Sequence, residues 1–476
     1  MFASFSALFT RRRGAARLAA ATLLSGLVAA GSLTAAGRAA AGDETTKNQG
    51  GATAALNGLK TYGTAVVHGD SDGSGGDGDR QVSAGLFEMS VEGGGTLQTY
   101  CVDIHNPTQK DAKYNETPWS GTSLGANKNA GRIRWILQNS YPQVNDLAAL
   151  ATKAGVSGAL SEQDAAVGTQ VAIWRYSDGA DVDALDPQAE KLADYLQKNA
   201  RDLPEPGASL TLDPPAVSGH PGERLGPVTV RTDAGGVTVT PPADAAVSGV
   251  RVVGGDGKEI RSAANGSKIF FEVPEDAADG TATLTVQAST TVPVGRAFTS
   301  ESRSQTQILA GSSESTVSAT ASATWAVTGA IPALSAAKDC AKGGLVLTAG
   351  NEGDEDFGFE LMGVRYTIPA GETRSVTVPL REDQAYDFTI EGPGGYEKRF
   401  TGVLDCLTSG SGTGITTQSG PEPSPATAVG TAPDANLAET GSSDMTPLIA
   451  GLAIALVVVG GVALLVTRRK NNGPRD

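Results

Sequence analysis

Apolar and polar residues alternate over much of this chain, which is the pattern of strands that bury one face. In the first third of the chain, the alternation predicts strands at residues 62–67, 82–91 and 96–104. It returns over residues 208–330, where Gly, Pro and Asp turns separate the runs, and again over residues 338–408. The pattern therefore predicts a mainly β, multidomain fold with antiparallel β-sandwiches.

Between the two β-rich stretches, the apolar spacing changes to that of helices. Three sets of residues follow this spacing: Ile133, Ile136 and Leu137; Val167, Gln170, Val171 and Trp174; and Leu192, Tyr195 and Leu196. Ser161 and Asp164 match a capping box at the start of the second helix, and Asp186 with Pro187 marks the start of the third. Gln170 is thus a polar residue on an apolar face, where an unpaired amide would cost about 1–3 kcal/mol.

The N-terminus has the three parts of a secretory signal. Four arginines between residues 11 and 17 form a basic segment, residues 18–36 are rich in Ala and Leu, and three alanines at 39–41 match a cleavage site. We therefore expect residues 1–41 to be removed during export.

The C-terminus combines a pentapeptide, an apolar run and a basic tail. Residues 448–466 are uncharged and long enough to cross a hydrocarbon core of about 30 Å, and basic residues follow them. Residues 437–441, Leu-Ala-Glu-Thr-Gly, resemble the L-P-x-T-G sorting signal of Gram-positive surface proteins. Ala438 replaces the usual Pro, as in the actinobacterial variant. The resemblance implies that a sortase cuts between Thr440 and Gly441; the alternative is a membrane-anchored protein with a chance pentapeptide.

The chain is acidic, with 37 Lys and Arg residues against 52 Asp and Glu residues and a net charge of −15. This charge argues against nucleic acid as a partner, because phosphates would be repelled. Four of the acidic residues, Asp70, Asp72, Asp77 and Asp79, lie in a glycine-rich loop at residues 69–80. The loop is either a calcium site or a solvated connection, and the bidentate Glu of a typical calcium loop is missing.

Three cysteines leave one unpaired in an exported protein. Cys340 and Cys406 lie at the start and end of one β-rich module, and we predict that a disulfide joins them. Cys101 then remains as an inert buried thiol, a catalytic nucleophile or part of another cross-link. A Cys–His enzyme is poorly supported, because His105 would lie about 13 Å away along a strand.

Two segments resemble the thioester domain of Gram-positive surface adhesins. The first is Tyr-Cys-Val-Asp at residues 100–103, and the second is Thr-Gln-Val-Ala-Ile-Trp at residues 169–174. The resemblance covers about residues 60–200 and implies a thioester cross-link between Cys101 and Gln170. It also implies the residues that complete the motif and shield the bond from water: Tyr100, Thr169, Ala172 and Trp174.

The implied chemistry is acyl transfer in a single turnover, so we do not expect an enzyme. The Cys101 thiolate attacks the Gln170 amide and expels ammonia, without a metal or cofactor. A Lys amine of a surface or host protein then opens the thioester and forms an isopeptide bond. Asp103 either polarises this site or caps a turn. The alternative function is a non-covalent adhesin or structural cell-wall protein with an inert Cys101.

Together these observations predict a protein anchored to peptidoglycan on the outer surface of a Gram-positive bacterium, with the membrane contacted only before sorting. The predicted divisions are a signal peptide (1–41), a disordered segment (42–59), the thioester domain with a helical insert (60–200), an Ig-like β-sandwich (208–335), a small Ig-like β-sandwich with the disulfide (338–408), a flexible wall-spanning linker (409–436), the sortase motif (437–441), a transmembrane helix (448–466) and a basic cytoplasmic tail (467–476).

Overall fold

The computed structural model describes residues 50–68 and 79–407. The predicted signal peptide, most of the acidic glycine loop, the wall-spanning linker, the sortase motif, the transmembrane helix and the basic tail lie outside these residues. Within the described ranges, no helix is both long and apolar enough to cross a membrane.

The first module combines strands with four helices. Its elements are β1 (Thr53–Val67), β2 (Arg80–Val91), β3 (Thr96–Cys101), β4 (Lys113–Thr117), α1 (Ala130–Gln138), α2 (Leu147–Ala154), α3 (Glu162–Ser177), β5 (Val182–Ala184) and α4 (Pro187–Asn199). Residues 53–59, which the sequence analysis placed in a disordered segment, instead begin β1. They pair with β2 and β4, and Ala54 and Leu56 are buried in the core, so both the ladders and apolar burial order this segment.

The following stretch contains eleven strands and one short helix. They are β6 (Leu210–Asp213), β7 (Ala216–Gly219), β8 (Arg224–Thr232), β9 (Val237–Thr240), α5 (Ala245–Ser248), β10 (Arg251–Gly254), β11 (Ser262–Ala263), β12 (Lys268–Glu272), β13 (Gly280–Thr291), β14 (Ala297–Ser300), β15 (Gln307–Ser312) and β16 (Glu314–Trp325). Nine of these strands form a four-stranded sheet, β10-β12-β8-β6, and a five-stranded sheet, β11-β9-β13-β16-β7. Buried residues alternate with more accessible ones along β13 and β16, which fits the predicted sandwich.

Strands β14 and β15 do not join this sandwich, although the sequence analysis placed them there. They lie at the far end of the long β13–β16 hairpin and insert between β3 and β4. The sheet order is therefore β2-β3-β15-β14-β4-β1-β5, and pairing of β1 with β2 closes it into a barrel. The first module thus needs two separate stretches of chain to complete its sheet.

The third module has its own apolar core. Its strands are β17 (Pro332–Asp339), β18 (Gly344–Asn351), β19 (Phe357–Leu361), β20 (Val364–Ile368), β21 (Glu372–Pro379), β22 (Ala385–Glu391) and β23 (Glu397–Val403). They form one three-stranded sheet, β17-β18-β21, and two hairpins. A disulfide joins Cys340 to Cys406. Asp405 accepts a hydrogen bond at 3.1 Å from the hydroxyl of Thr306, so this module contacts the loop between β14 and β15. The mainly β, multidomain fold with a helix-bearing first module is confirmed.

Candidate functional site

Cys101 is the last residue of β3, and its side chain is only 2% exposed. The pairing of β3 with β2 ends at Thr99, opposite Phe87, so no β2 backbone continues the ladder beside Cys101. The amide of Val102 donates to the carbonyl of Thr306 on the β15 side. Because backbone groups point alternately to the two sides of a strand, the N–H and C=O of Cys101 face the side that β2 has left open.

Gln170 lies in the middle of α3. This helix starts with the predicted capping box, in which the Asp164 amide donates to the Ser161 hydroxyl at 3.0 Å and the Ser161 amide donates to the Asp164 carboxylate at 3.2 Å. Every residue from 165 to 174 is buried, whereas the sequence analysis described one buried face. The helix is enclosed because it lies between the barrel and α4, and at Gly168 an added Cβ would lie 2.4 Å from a carbonyl oxygen of α4.

The side-chain amide of Gln170 makes the hydrogen bonds with Cys101 that a β2 backbone would make if the β2–β3 ladder continued. The amide nitrogen of Cys101 donates to Gln170 Oε1 at 3.0 Å, and Gln170 Nε2 donates to the carbonyl oxygen of Cys101 at 2.9 Å. The amide is therefore fully buried with both of its polar atoms hydrogen-bonded, so the penalty considered for an unpaired amide does not arise. The same contact aims a backbone N–H at the oxygen that would gain negative charge if sulfur attacked the amide carbon, as an oxyanion hole does.

A second glutamine, which the sequence analysis did not identify, contacts the sulfur atom. Gln307 is the residue directly opposite Cys101 in the pairing of β3 with β15. Its Nε2 donates to Cys101 Sγ at 3.1 Å, and its Oε1 accepts from the Thr99 hydroxyl at 3.0 Å. Burial raises the pKa of the Cys101 thiol, and the hydrogen bond from Gln307 lowers it. No local motif marks Gln307, because it is 206 residues away from Cys101 in sequence.

The four residues predicted to complete the motif and shield the bond are all buried: Tyr100, Thr169, Ala172 and Trp174. The Tyr100 hydroxyl donates to the carbonyl oxygen of Tyr141 at 2.9 Å, which fixes the orientation of the ring. The indole Nε1 of Trp174 has no hydrogen-bond partner within the described ranges. Cys101 and Gln170 are buried as well, and a buried, low-dielectric environment strengthens polar contacts.

Asp103 caps a turn. Its Oδ1 accepts from the backbone amides of His105 at 2.8 Å and Asn106 at 3.3 Å, and Asp178 accepts from the Ile104 amide at 3.2 Å. The two carboxyls therefore hold the segment that leaves Cys101. Burial raises the pKa of Asp103 to about 7 and that of Asp178 to about 8.

Two of the three histidines are engaged elsewhere. The ring nitrogens of His68 lie 2.9 Å from Asp79 and 3.1 Å from Asp183 at an exposed edge of the barrel. Nδ1 of His220 lies 3.0 Å from the carbonyl oxygen of Ala326, in the second module. Neither contact offers a base to the Cys101 thiol.

Solved structures with similarity to this chain include two TIE proteins. The Bacillus anthracis TIE protein is 16% identical over 74% of this chain and 64% of that one, with a TM-score of 0.25. This chain thus spans 64% of the length of that structure. The thioester domain of the Enterococcus faecium TIE86 protein is 17% identical over 58% of this chain and 97% of that one, with a TM-score of 0.27. The Escherichia coli chaperone DraB is 13% identical over 41% of this chain and 98% of that one, with a TM-score of 0.18. No curated protein matches.

Two family models match separate parts of the chain. Residues 332–403 match the C-terminal domain of bacterial phospholipase C, and these residues form the strands of the third module. Residues 98–202 match the thioester domain, and this range includes Cys101, Gln170 and the helices between the two strand-rich stretches. The chain therefore contains a region that matches the thioester-domain family, and Cys101 and Gln170 both lie within the matched range.

Proposed function

We propose that this protein is a cell-surface adhesin that binds amine-bearing partners covalently through a thioester between Cys101 and Gln170. The observation that carries the proposal is the reciprocal hydrogen bonding of the Gln170 amide with the backbone of Cys101 in a buried site. This contact fixes the acyl group beside the cysteine that would attack it. Holding two reacting groups in place in this way can supply a large part of the barrier reduction for acyl transfer.

The reaction has two steps. In the first, Cys101 Sγ bonds to the Gln170 side-chain carbon, and the amide nitrogen leaves as ammonia with the thiol proton. In the second, a Lys amine of a partner bonds to the same carbon, and the sulfur leaves as a thiol with a proton from the amine. The backbone N–H of Cys101 stabilises the charge on the Gln170 oxygen in both steps. The product is an isopeptide bond to the partner.

Mass spectrometry of the intact protein tests this proposal. The wild-type protein should lack one ammonia, and methylamine should add to Gln170 and expose one thiol at Cys101. Cys101→Ala and Gln170→Ala should both abolish the addition. Gln163→Ala is the matched control, because Gln163 is an exposed glutamine of the same helix, and it should react as the wild type does. Equal labelling of Cys101→Ala and wild type would exclude the Cys101 thioester.

The second candidate function is a non-covalent adhesin or structural cell-wall protein. Two observations favour it: burial raises the pKa of the Cys101 thiol, which disfavours the thiolate, and the Gln170 amide is already paired with backbone groups. An intact mass that retains the ammonia, with a Cys101 thiol that reacts only after unfolding, would support this candidate.

Export and anchoring complete the proposal. The N-terminal signal, the 437–441 pentapeptide and the apolar run at 448–466 support export, cleavage by a sortase and attachment to peptidoglycan. Wall fragments released by a muramidase should contain the protein ending at Thr440. Recovery of the full-length chain from membranes alone would exclude anchoring by a sortase. Partners should be recovered as products that survive boiling denaturant.

A further inference from the structure

Gln307 is held with its N–H group toward the sulfur of Cys101. Thr99 and Cys101 are two residues apart on β3, so both side chains lie on one face of the strand, opposite Gln307. The hydroxyl of Thr99 donates to Oε1 of Gln307, and this contact turns the amide oxygen away from Sγ. All three side chains are buried.

We propose that Gln307 is a catalytic residue of the thioester site, which stabilises negative charge on Cys101 Sγ when the thioester forms and again when an amine opens it. This role rests on the proposed function. Strand β15 lies outside the matched residues 98–202, and it would supply the third residue that takes part in the reaction, beside Cys101 and Gln170. Thr99 would be the residue that positions the Gln307 amide.

The chemistry of the two steps requires such a donor. Sulfur carries negative charge as the thiolate before it attacks the Gln170 carbon, and it regains that charge as the leaving group when an amine displaces it. The site is closed to water, so a protein N–H must replace solvation of the anion. Gln307 supplies it without exchanging a proton, and the proton balance between the thiol and the departing or attacking amine is unchanged.

Replacement of Gln307 by Met tests the role, since Met keeps a similar volume and has no N–H donor. We expect the rate of methylamine addition to Gln170, followed by mass spectrometry and thiol release, to fall by about 10- to 100-fold, as for other donors to developing charge. Gln305→Met is the matched control. Gln305 is also buried and precedes the same strand, but the amide that donates to Cys101 Sγ belongs to Gln307. The Gln305→Met variant should therefore react at the wild-type rate.

A second pair of variants separates this role from a purely structural one. Thr99→Val should slow the addition less than Gln307→Met, because it releases the amide but leaves the donor in place. In a Gln170→Ala background, where no thioester can form, adding Gln307→Met should raise the pH at which iodoacetamide alkylates Cys101. Loss of packing alone would speed alkylation without moving its pH dependence.

Three results would overturn the role. An unchanged rate in Gln307→Met, with Gln170 still labelled, would overturn it and leave the proposed function intact. Methylamine found on Gln307 in place of Gln170 would identify Gln307 as the acyl donor. Absence of labelling in the wild-type protein would overturn the proposed function and, with it, the role of Gln307.

Discussion

A buried ion pair between Glu116 and Arg296 ties β4 to the segment that begins the β14–β15 hairpin. Arg296 Nε lies 2.8 Å from Glu116 Oε1, and the two side chains are 5% and 0% exposed. Arg296 Nη1 also lies 2.7 Å from Glu205, in the segment that follows α4. Because this hairpin carries Gln307 into the barrel, we expect the pair to stabilise the site as well as the fold.

Arg296→Met should destabilise the protein by about 3 kcal/mol. Breaking a buried pair by removing one partner costs about 3–5 kcal/mol, because a buried charge is left without compensation. Glu116 would keep three donors, the amide of Ala52 at 3.1 Å, the amide of Ser209 at 2.9 Å and the Ser209 hydroxyl. These donors continue to stabilise the carboxylate, which places the expected loss at the lower end of that range.

Urea unfolding followed by tryptophan fluorescence measures the loss, since the Trp119 indole donates to a carbonyl at the start of the hairpin. The control is Arg231→Met, which removes an exposed partner 3.6 Å from Asp213 and should cost less than about 1 kcal/mol. The double variant Glu116→Gln with Arg296→Met removes both charges and should regain part of the loss. A cost of Arg296→Met as small as that of Arg231→Met would refute this reasoning.

Three further predictions concern the packing, the disulfide and pH. Gly168→Ala should lower the melting temperature, because the added Cβ would lie 2.4 Å from a carbonyl oxygen of α4. Gly235→Ala should not lower it, because no atom lies within 4 Å of the added Cβ. Equal melting temperatures of the two variants would contradict this prediction. Cys340 and Cys406 are 66 residues apart, so reducing their disulfide should lower the free energy of unfolding by about 4 kcal/mol in the chain-entropy account. An unchanged urea midpoint of the third module after reduction would argue against this prediction. Burial raises the pKa of Asp178 from 3.8 to about 8. The protonated carboxyl therefore stabilises the fold fully below pH 3.8, and this stabilisation is lost as the pH rises through about 8. Between these two pH values, the urea midpoint should fall less steeply in Asp178→Asn than in the wild type.

Local patterns were sufficient to predict most elements and the two segments of the site. The alternation of apolar residues predicted most of β2, all of β3 and only the second part of β1, and the capping box at Ser161 predicted the start of α3. These features depend on hydrogen bonds and side-chain spacing within a few residues, so they can be read from a short window of sequence. The two segments that contain Cys101 and Gln170 could also be recognised without any knowledge of their contacts.

Local patterns thus predict the mainly β character, the helical insert and the identity of the two segments, because each depends on neighbouring residues. Tertiary structure alone decided how strands were shared between modules, since a strand's own pattern does not specify its partner. That is why residues 53–59 and 297–312 were assigned to the wrong regions, and why Gln307 was missed. The pairing of the Gln170 amide with the Cys101 backbone was likewise decided in three dimensions, where the end of the β2–β3 ladder left that backbone open to the side chain of a helix.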